Sequence, residues 1–210
     1  MTGIQSELLD PERKKTFLQL QFLGSLGGVL GGGTAIMLQI GHRLSFDFDV
    51  FFGKKVLKRA FKIANQRLNI KEKRVDQPNQ ITFVTKEGIQ VTFLYYEFLP
   101  LYPMIKSTSL PLFNLKDLAA DKAYTLGRRS IWRDYVDIFF LLKDKRVNLG
   151  EILEVAPKKF KAEFAPKLFL EQLTYYQDIK DFKIEFIGKE YSPKEVQEFL
   201  KKEVRQYIHV

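Results

Sequence analysis

Cysteine is absent from the 210 residues, which excludes disulfides, zinc ribbons, thiolate catalysis and iron–sulfur clusters. Histidine is almost absent. With only His42 and His209, a histidine-rich metal centre cannot be assembled, and a Ser-His-Asp triad would have to use one of the two. His42 reads as a helix-end or packing residue. The single tryptophan, Trp132, and the Tyr95-Tyr96 pair read as core side chains, not as platforms for stacked bases. No repeat or low-complexity tract occurs. What is present is ordinary for a folded, water-soluble chain: 45% hydrophobic and 28% charged residues, enough for one large or two small packed units. Thirty-four Lys+Arg against 25 Asp+Glu leave a net charge of +9, which favours polyanionic partners such as nucleotides, RNA or an anionic surface.

Charge is missing altogether from Thr16 to His42, just after Arg13-Lys14-Lys15, so a membrane span has to be weighed. Gln19, Gln21 and Gln39 lie inside this run, with seven of the 13 glycines, including Gly31-Gly32-Gly33. Three successive glycines make a poor helix interior. The better reading is a buried helix, a turn, a short strand at Val29-Leu30 and a glycine loop feeding a second helix. No stable membrane insertion is expected, and the cytoplasm is the expected compartment.

Hydrophobic periodicity predicts helices over 11–23, 34–42 and 54–68, and strands over 46–51, 70–75, 80–85 and 89–96, with a turn at Lys86-Glu87-Gly88. Pro100, Pro103 and Pro111 mark an irregular linker. Helices are predicted beyond it over 114–127, 131–143, 148–155, 166–178 and 193–207, the last opened by the capping box Ser192-Pro193…Glu195. The fold class is α+β: an α/β part over 1–105 with a mixed or antiparallel sheet, then a helical part over 106–210.

Chemistry is suggested first by Gly31-Gly32-Gly33-Thr34, then, after twelve intervening residues, by Asp47-Phe48-Asp49. On a strand, Asp47 and Asp49 share one face while Phe48 and Val50 take the other. Paired carboxylates repel unless a cation neutralises them, and oxygen-only ligands favour Mg²⁺ or Mn²⁺ held jointly with substrate phosphates. Glycines let the backbone approach those phosphates, and a helix N-terminus offers N–H groups to the anion. Two solvated aspartates beside an unrelated turn would be the bland alternative.

Gly32-Gly33-Thr34-Ala35 with Gly41-His42-Arg43-Leu44-Ser45-Phe46-Asp47-Phe48-Asp49-Val50-Phe51 resembles the signature of the AbiEii/AbiGii abortive-infection toxin family, in the polymerase-beta-like nucleotidyltransferase superfamily. Lys122, Arg129, Arg133, Asp134 and Asp137 resemble that family's downstream motif. If 122–129 were one helix, Lys122 and Arg129 would return to nearly one face and meet a triphosphate together. Asp134 and Asp137 stand at i, i+3 and Arg133 and Asp137 at i, i+4, so part of this motif could instead reflect pairing along a helix.

The resemblance implies transfer of a nucleotide from an NTP, with Mg²⁺ or Mn²⁺, to an RNA such as tRNA or to a protein, by a toxin paired with a cognate antitoxin. Asp47 and Asp49 would hold metal. Gly32, Gly33, Thr34, Arg43, Ser45 and Arg129 would bind the nucleotide, and Lys122 and Asp134 would join the two aspartates in catalysis. One departure stands out. The superfamily places a third carboxylate on a later strand, and Ile89–Tyr96 holds no acid, only Glu87 and Glu97 at its flanks. Either Asp134 takes that role, or the chain is a weak or inactive relative that binds nucleotide or RNA.

From Lys54 to Arg74 there are nine basic residues and one acid, Glu72. Lys54, Lys55, Lys58, Arg59 and Lys62 fall on one helical face, which is either a solvated surface or an approach path for an RNA acceptor.

Overall fold

The computed structural model describes residues 3–126 and 128–209, and its packing divides the chain into two units, 1–114 and 115–210. The segment 106–114, which its prolines set with the second half, lies in the first unit. Leu112 bridges both Ile105 and Leu30 there, tying the segment to the sheet.

The first unit is a five-stranded mixed sheet with α1 (Pro11–Gln19), α2 (Gly32–Ile40) and α3 (Leu57–Arg67). Strands β1 (Gly28–Gly31), β2 (Phe48–Phe52), β3 (Ile70–Gln77), β4 (Gln80–Thr85) and β5 (Gln90–Tyr95) lie in the order β1-β2-β5-β4-β3. Only β2 and β5 pair in parallel; the other neighbours are antiparallel. The α+β class is as the periodicity predicts. The predicted first helix is shorter: α1 stops at Gln19 and 20–26 continue as 3-10 turns, ended by Gly27 in the left-handed region.

Alternation decides the sheet's faces. Phe48, Val50 and Phe52 are buried while Asp49 and Phe51 are only half-buried. The buried set meets Phe93 and Phe83, with Phe52–Phe93 and Phe83–Phe93 edge-to-face at 5.6 and 5.2 Å, and Phe61 of α3 joins at 5.6 Å from Phe83. Such ring pairs add to the burial that holds α3 on the sheet. Strand β3 is the opposite case, exposed along nearly all its length, carrying Lys71, Lys73 and Arg74, and broken by two register shifts against β4.

The second unit is helical: α4 (Leu115–Leu126), α5 (Trp132–Lys143), α6 (Leu149–Phe160), α7 (Pro166–Leu173) and α8 (Pro193–Ile208). Capping boxes at Asn148/Glu151 and Ser192/Glu195 start α6 and α8. Helix α6 runs to Phe160 through Pro157, past the predicted end at 155. Tertiary anchoring explains the extension, because Lys159 is buried between Asp117 (3.1 Å) and Asp121 (2.7 Å) of α4 and Phe160 lies in the core. Helix α7 ends at Leu173, short of the predicted 178. The Tyr135 hydroxyl meets the carbonyls of Gln172 (3.2 Å) and Tyr175 (2.9 Å), groups that continued helix would otherwise use. Trp132 is core, stacked on Tyr135 at 5.7 Å. No helix among the described residues is long and apolar enough to cross a membrane.

Candidate active site

Strand β1 ends in the glycine turn, and α2 starts at Gly32 with φ +66°. A Cβ at Gly32 would overlap Oδ2 of Asp49, so the Asp49 carboxylate packs directly against the turn's backbone. At Gly33 a Cβ would overlap Nη2 of Arg43 and sit 3.0 Å from the Ser45 hydroxyl. A side chain at either position would have to displace the end of Asp49 or Arg43, and at Gly32 the backbone angle also favours glycine. The N-cap of α2 is Gly31, which brings no side chain to the helix start, and the Asp49 carboxylate lies beside the first turn.

The loop entering β2 is pinned from several sides. Thr34 is buried, and its hydroxyl donates to the Asp47 carbonyl and lies 2.9 Å from Ser45 Oγ. A hydroxyl carries one proton, so the Ser45 hydroxyl is left to donate back to Thr34. The Ser45 N–H meets Met37 Sδ at 3.2 Å, and the buried Arg43 donates to the Leu44 carbonyl at 2.9 Å. Arg13 of α1 donates to the Phe46 carbonyl at 3.3 Å and stands 4.5 Å above the Phe46 ring. Arg13, 33 residues away in sequence, carries no local signal of this role. His42 is buried just after Gly41, the left-handed cap of α2.

Asp47 immediately precedes β2 and Asp49 is its second residue. Opposite Asp49 on the parallel strand stands Thr92, with Thr92 Oγ1 3.2 Å from Thr82 Oγ1. The register thus puts a threonine pair beside Asp49, and β5 itself carries no acid. Glu97 is exposed beyond β5. Glu87 lies in the β4–β5 turn, where hydrogen bonds from its own N–H and from Thr85 hold its carboxyl below the usual range. Among the described residues no group of three or more Asp, Glu or His side chains could hold a metal. The Asp49 carboxylate against a bare glycine backbone, with Asp47 two residues before it, does fit a hard cation that takes its remaining ligands from phosphates and water.

The second unit holds its own cluster. Lys122 Nζ is 2.6 Å from Asp134 Oδ1 and 2.5 Å from Asp137 Oδ2. Arg129 closes on Asp134 from outside through two bonds, Nε to Oδ2 at 2.8 Å and Nη2 to Oδ1 at 3.0 Å. Asp134 and Asp137 are 1% and 0% exposed. Burial pushes the Asp134 carboxyl up, but the Lys122 charge and the Arg129 hydrogen bonds outweigh it and hold the group below the ordinary range. Helix α4 ends at Leu126, so Lys122 and Arg129 do not share a helical face, and Asp134 is what brings them together. Asp137 pairs with Lys122, while Arg133 is exposed.

The basic stretch is also rearranged. Lys54 and Lys55 precede α3, which begins at Leu57, whereas Lys58, Arg59 and Lys62 lie exposed on it. Lys55 stands 5.6 Å from the Tyr95 ring. Tyr95 and Tyr96 are half-buried, not core.

Residues 25–207 match the family described as nucleotidyl transferase AbiEii toxin of type IV toxin–antitoxin systems. An Aquifex aeolicus (strain VF5) protein described only as uncharacterized is 29% identical over 183 residues, covering 85% of this chain and 87% of that one. In fold, the chain is similar to the nucleotidyltransferase toxin MenT4 of Mycobacterium tuberculosis H37Rv (TM-score 0.64, 14% identity, 93% of this chain and 82% of that one). It is also similar to a candidate nucleotidyltransferase of H. pylori (TM-score 0.61, 17% identity, 96% of each chain).

Proposed function

Since the chain belongs to the AbiEii nucleotidyltransferase toxin family, we propose that it moves a nucleotidyl group from an NTP to an RNA acceptor such as tRNA. In this reading it acts in the cytoplasm, held in check by a cognate antitoxin. The observation that carries the proposal is the Asp49 carboxylate lying on the backbone of the Gly32 turn, which joins a metal-binding acid and an anion-binding helix start in one place.

The acceptor hydroxyl attacks the α-phosphorus and gives up its proton to water, the bond to the β-phosphate oxygen breaks, and pyrophosphate leaves. Asp47 and Asp49 would hold Mg²⁺, which would supply charge neutralisation on the phosphates. The α2 N-terminus receives phosphate oxygens, and the Arg43 guanidinium behind Gly33 adds a fixed positive charge there. Thr34, Ser45 and Arg13 are positioning residues: they fix the carbonyls of Asp47 and Phe46 and so the approach of the aspartates. Such preorganisation is the main protein contribution to phosphoryl and nucleotidyl transfer.

On the resemblance of their motif, Arg129, whose side chain is half exposed, is the phosphate-facing cation in this proposal, and Lys122, buried against Asp134 and Asp137, braces it through Asp134. Asp134, held ionised by hydrogen bonds from Lys122 and Arg129, works by orienting them and less as a proton acceptor. Lys58, Arg59 and Lys62 of α3, with Lys54 and Lys55 before it, provide the acceptor's phosphates with a one-signed approach.

The test is incorporation of label from each NTP into RNA, with Mg²⁺ and with EDTA. Transfer that needs Mg²⁺ and disappears in Asp49→Asn, with the variant still folded, supports the reading. Wild-type turnover in that variant refutes the metal role, label found only in protein refutes the RNA acceptor, and nucleotide binding without transfer favours the inactive relative that the missing third acid on β5 allows.

A further inference from the structure

A cavity of about 420 Å³ lies in the first unit beside β2, within the size range of small-ligand pockets. Four rings line it, Phe51, Tyr96, Phe98 and Phe113, together with two cations, Lys54 and Arg59. The rings form a chain of angled contacts: Phe51–Tyr96 at 5.1 Å, Tyr96–Phe98 at 5.4 Å and Phe51–Phe113 at 5.5 Å. Phe98 and Tyr96 are half-buried, and Lys54 and Arg59 are exposed.

The cavity adjoins the glycine turn. Phe51 follows Asp49 by two residues on the same face of β2, about 7 Å along the strand. Phe51 and Phe113 both press on the backbone of Gly31, so closely that a Cβ there would overlap the Phe51 ring.

We propose that this cavity receives an unpaired nucleotide of the acceptor strand, its base against the rings and its phosphate on Lys54 and Arg59. The proposal rests on the RNA-acceptor reading above. Aromatic faces joined to cations are what single-stranded nucleic acid binds, because every base has a π-face and every nucleotide brings one phosphate. The NTP is the weaker candidate: its own phosphates belong on the α2 turn, whereas this cavity has a separate pair of cations. A purely apolar peptide would leave those cations without a purpose. From Arg59 the charge continues along α3 through Lys62, a track for the phosphates that follow.

The test measures binding of a 5′-fluorescein hexaribonucleotide, and of NTP separately, to wild type, Phe98→Ala, Phe98→Leu and Arg59→Gln. Phe98→Leu keeps apolar volume should the alanine variant fail to fold. Both Phe98 variants should weaken the hexanucleotide by about 5- to 150-fold with NTP affinity unchanged. Arg59→Gln should lower the log–log salt slope by about 0.7. Hexanucleotide affinity and salt slope unchanged in all variants would overturn the cavity while leaving nucleotidyl transfer standing. A loss of NTP affinity in its place would reassign the cavity to the incoming base. Wild type that ignores the hexanucleotide but binds a peptide of alternating Glu and Phe would reassign it to a protein partner. Binding that depends on Phe98 and Arg59 in a protein that transfers nothing to RNA would support a nucleotide site and refute the acceptor reading.

Discussion

Replacing Gly32 by alanine separates backbone strain from displacement of Asp49. Gly32 has φ +66°, and a Cβ there meets the far end of the Asp49 side chain. The left-handed angle costs an L-residue about 1–2 kcal/mol. The overlap adds little stability cost, because a carboxylate end can rotate away, and that rotation is the functional damage. Gly88, in the β4–β5 turn, is the control: it has φ +83° and nothing within 4 Å of a built Cβ. Gly88→Ala should therefore carry the strain alone. Both variants should stay folded, since about 1–2 kcal/mol is a fraction of the usual 5–15, and Tm should fall by roughly 2–8 °C in each. Only Gly32→Ala should lose transfer, by about 10²-fold or more, the scale set by a misplacement near 1 Å. Differential scanning calorimetry and a labelled-NTP transfer assay run side by side decide it. Equal Tm losses with equal, undiminished activity would show that the position of Asp49 against the turn has no part in the chemistry.

Asp134→Asn should lower turnover by about 10²-fold through loosening of Lys122 and Arg129; the pH–rate profile should keep its shape, and loss of its acid limb would identify Asp134 as the proton acceptor instead. Because the folded Asp134 carboxyl lies below its unfolded value, its stabilisation is present above about pH 3.9 and is lost as pH falls further, so urea titrations should find acid sensitivity reduced in that variant. Lys159→Met strips the fully buried Asp117 of its ammonium partner and should destabilise by about 3–5 kcal/mol, with an unchanged Tm as the contrary result. Lys58→Gln with Lys62→Gln should flatten the salt dependence of RNA binding by about 0.7 for each phosphate that is no longer neutralised, and an identical slope would assign those lysines to plain solvation.

Local patterns reveal the parts of this molecule whose causes are local. The alternation around Phe48-Asp49-Val50, the glycines before α2 and the Ser192/Glu195 box are each readable within a few residues. Pairings made across the chain are not. The parallel pairing of β2 with β5, which places Thr92 beside Asp49, depends on a crossover through α3, β3 and β4 that periodicity does not encode. Arg13 reaches Phe46 over a similar gap. A seven-residue spacing aligns Lys122 with Arg129 only if the helix continues, and it ends at Leu126. Likewise Pro157 is a sound local stop signal that the buried Lys159 anchorage on α4 overrides.

Strand β3 closes one side of the sheet with unpaired backbone groups along its outer edge, and such an edge invites a strand from another molecule. Two barriers of different kinds oppose that. Charged side chains line the edge, Lys71 together with the ion pairs Lys73–Asp76 and Arg74–Glu72, and the barrier that their charge raises fades as salt shortens the screening length to about 10 Å at 0.1 M and 3 Å at 1 M. The two register shifts bend the strand whatever the solvent holds. A polyanion settling on these side chains would weaken the first barrier and leave the second, so resistance to edge pairing in its presence rests on the register shifts.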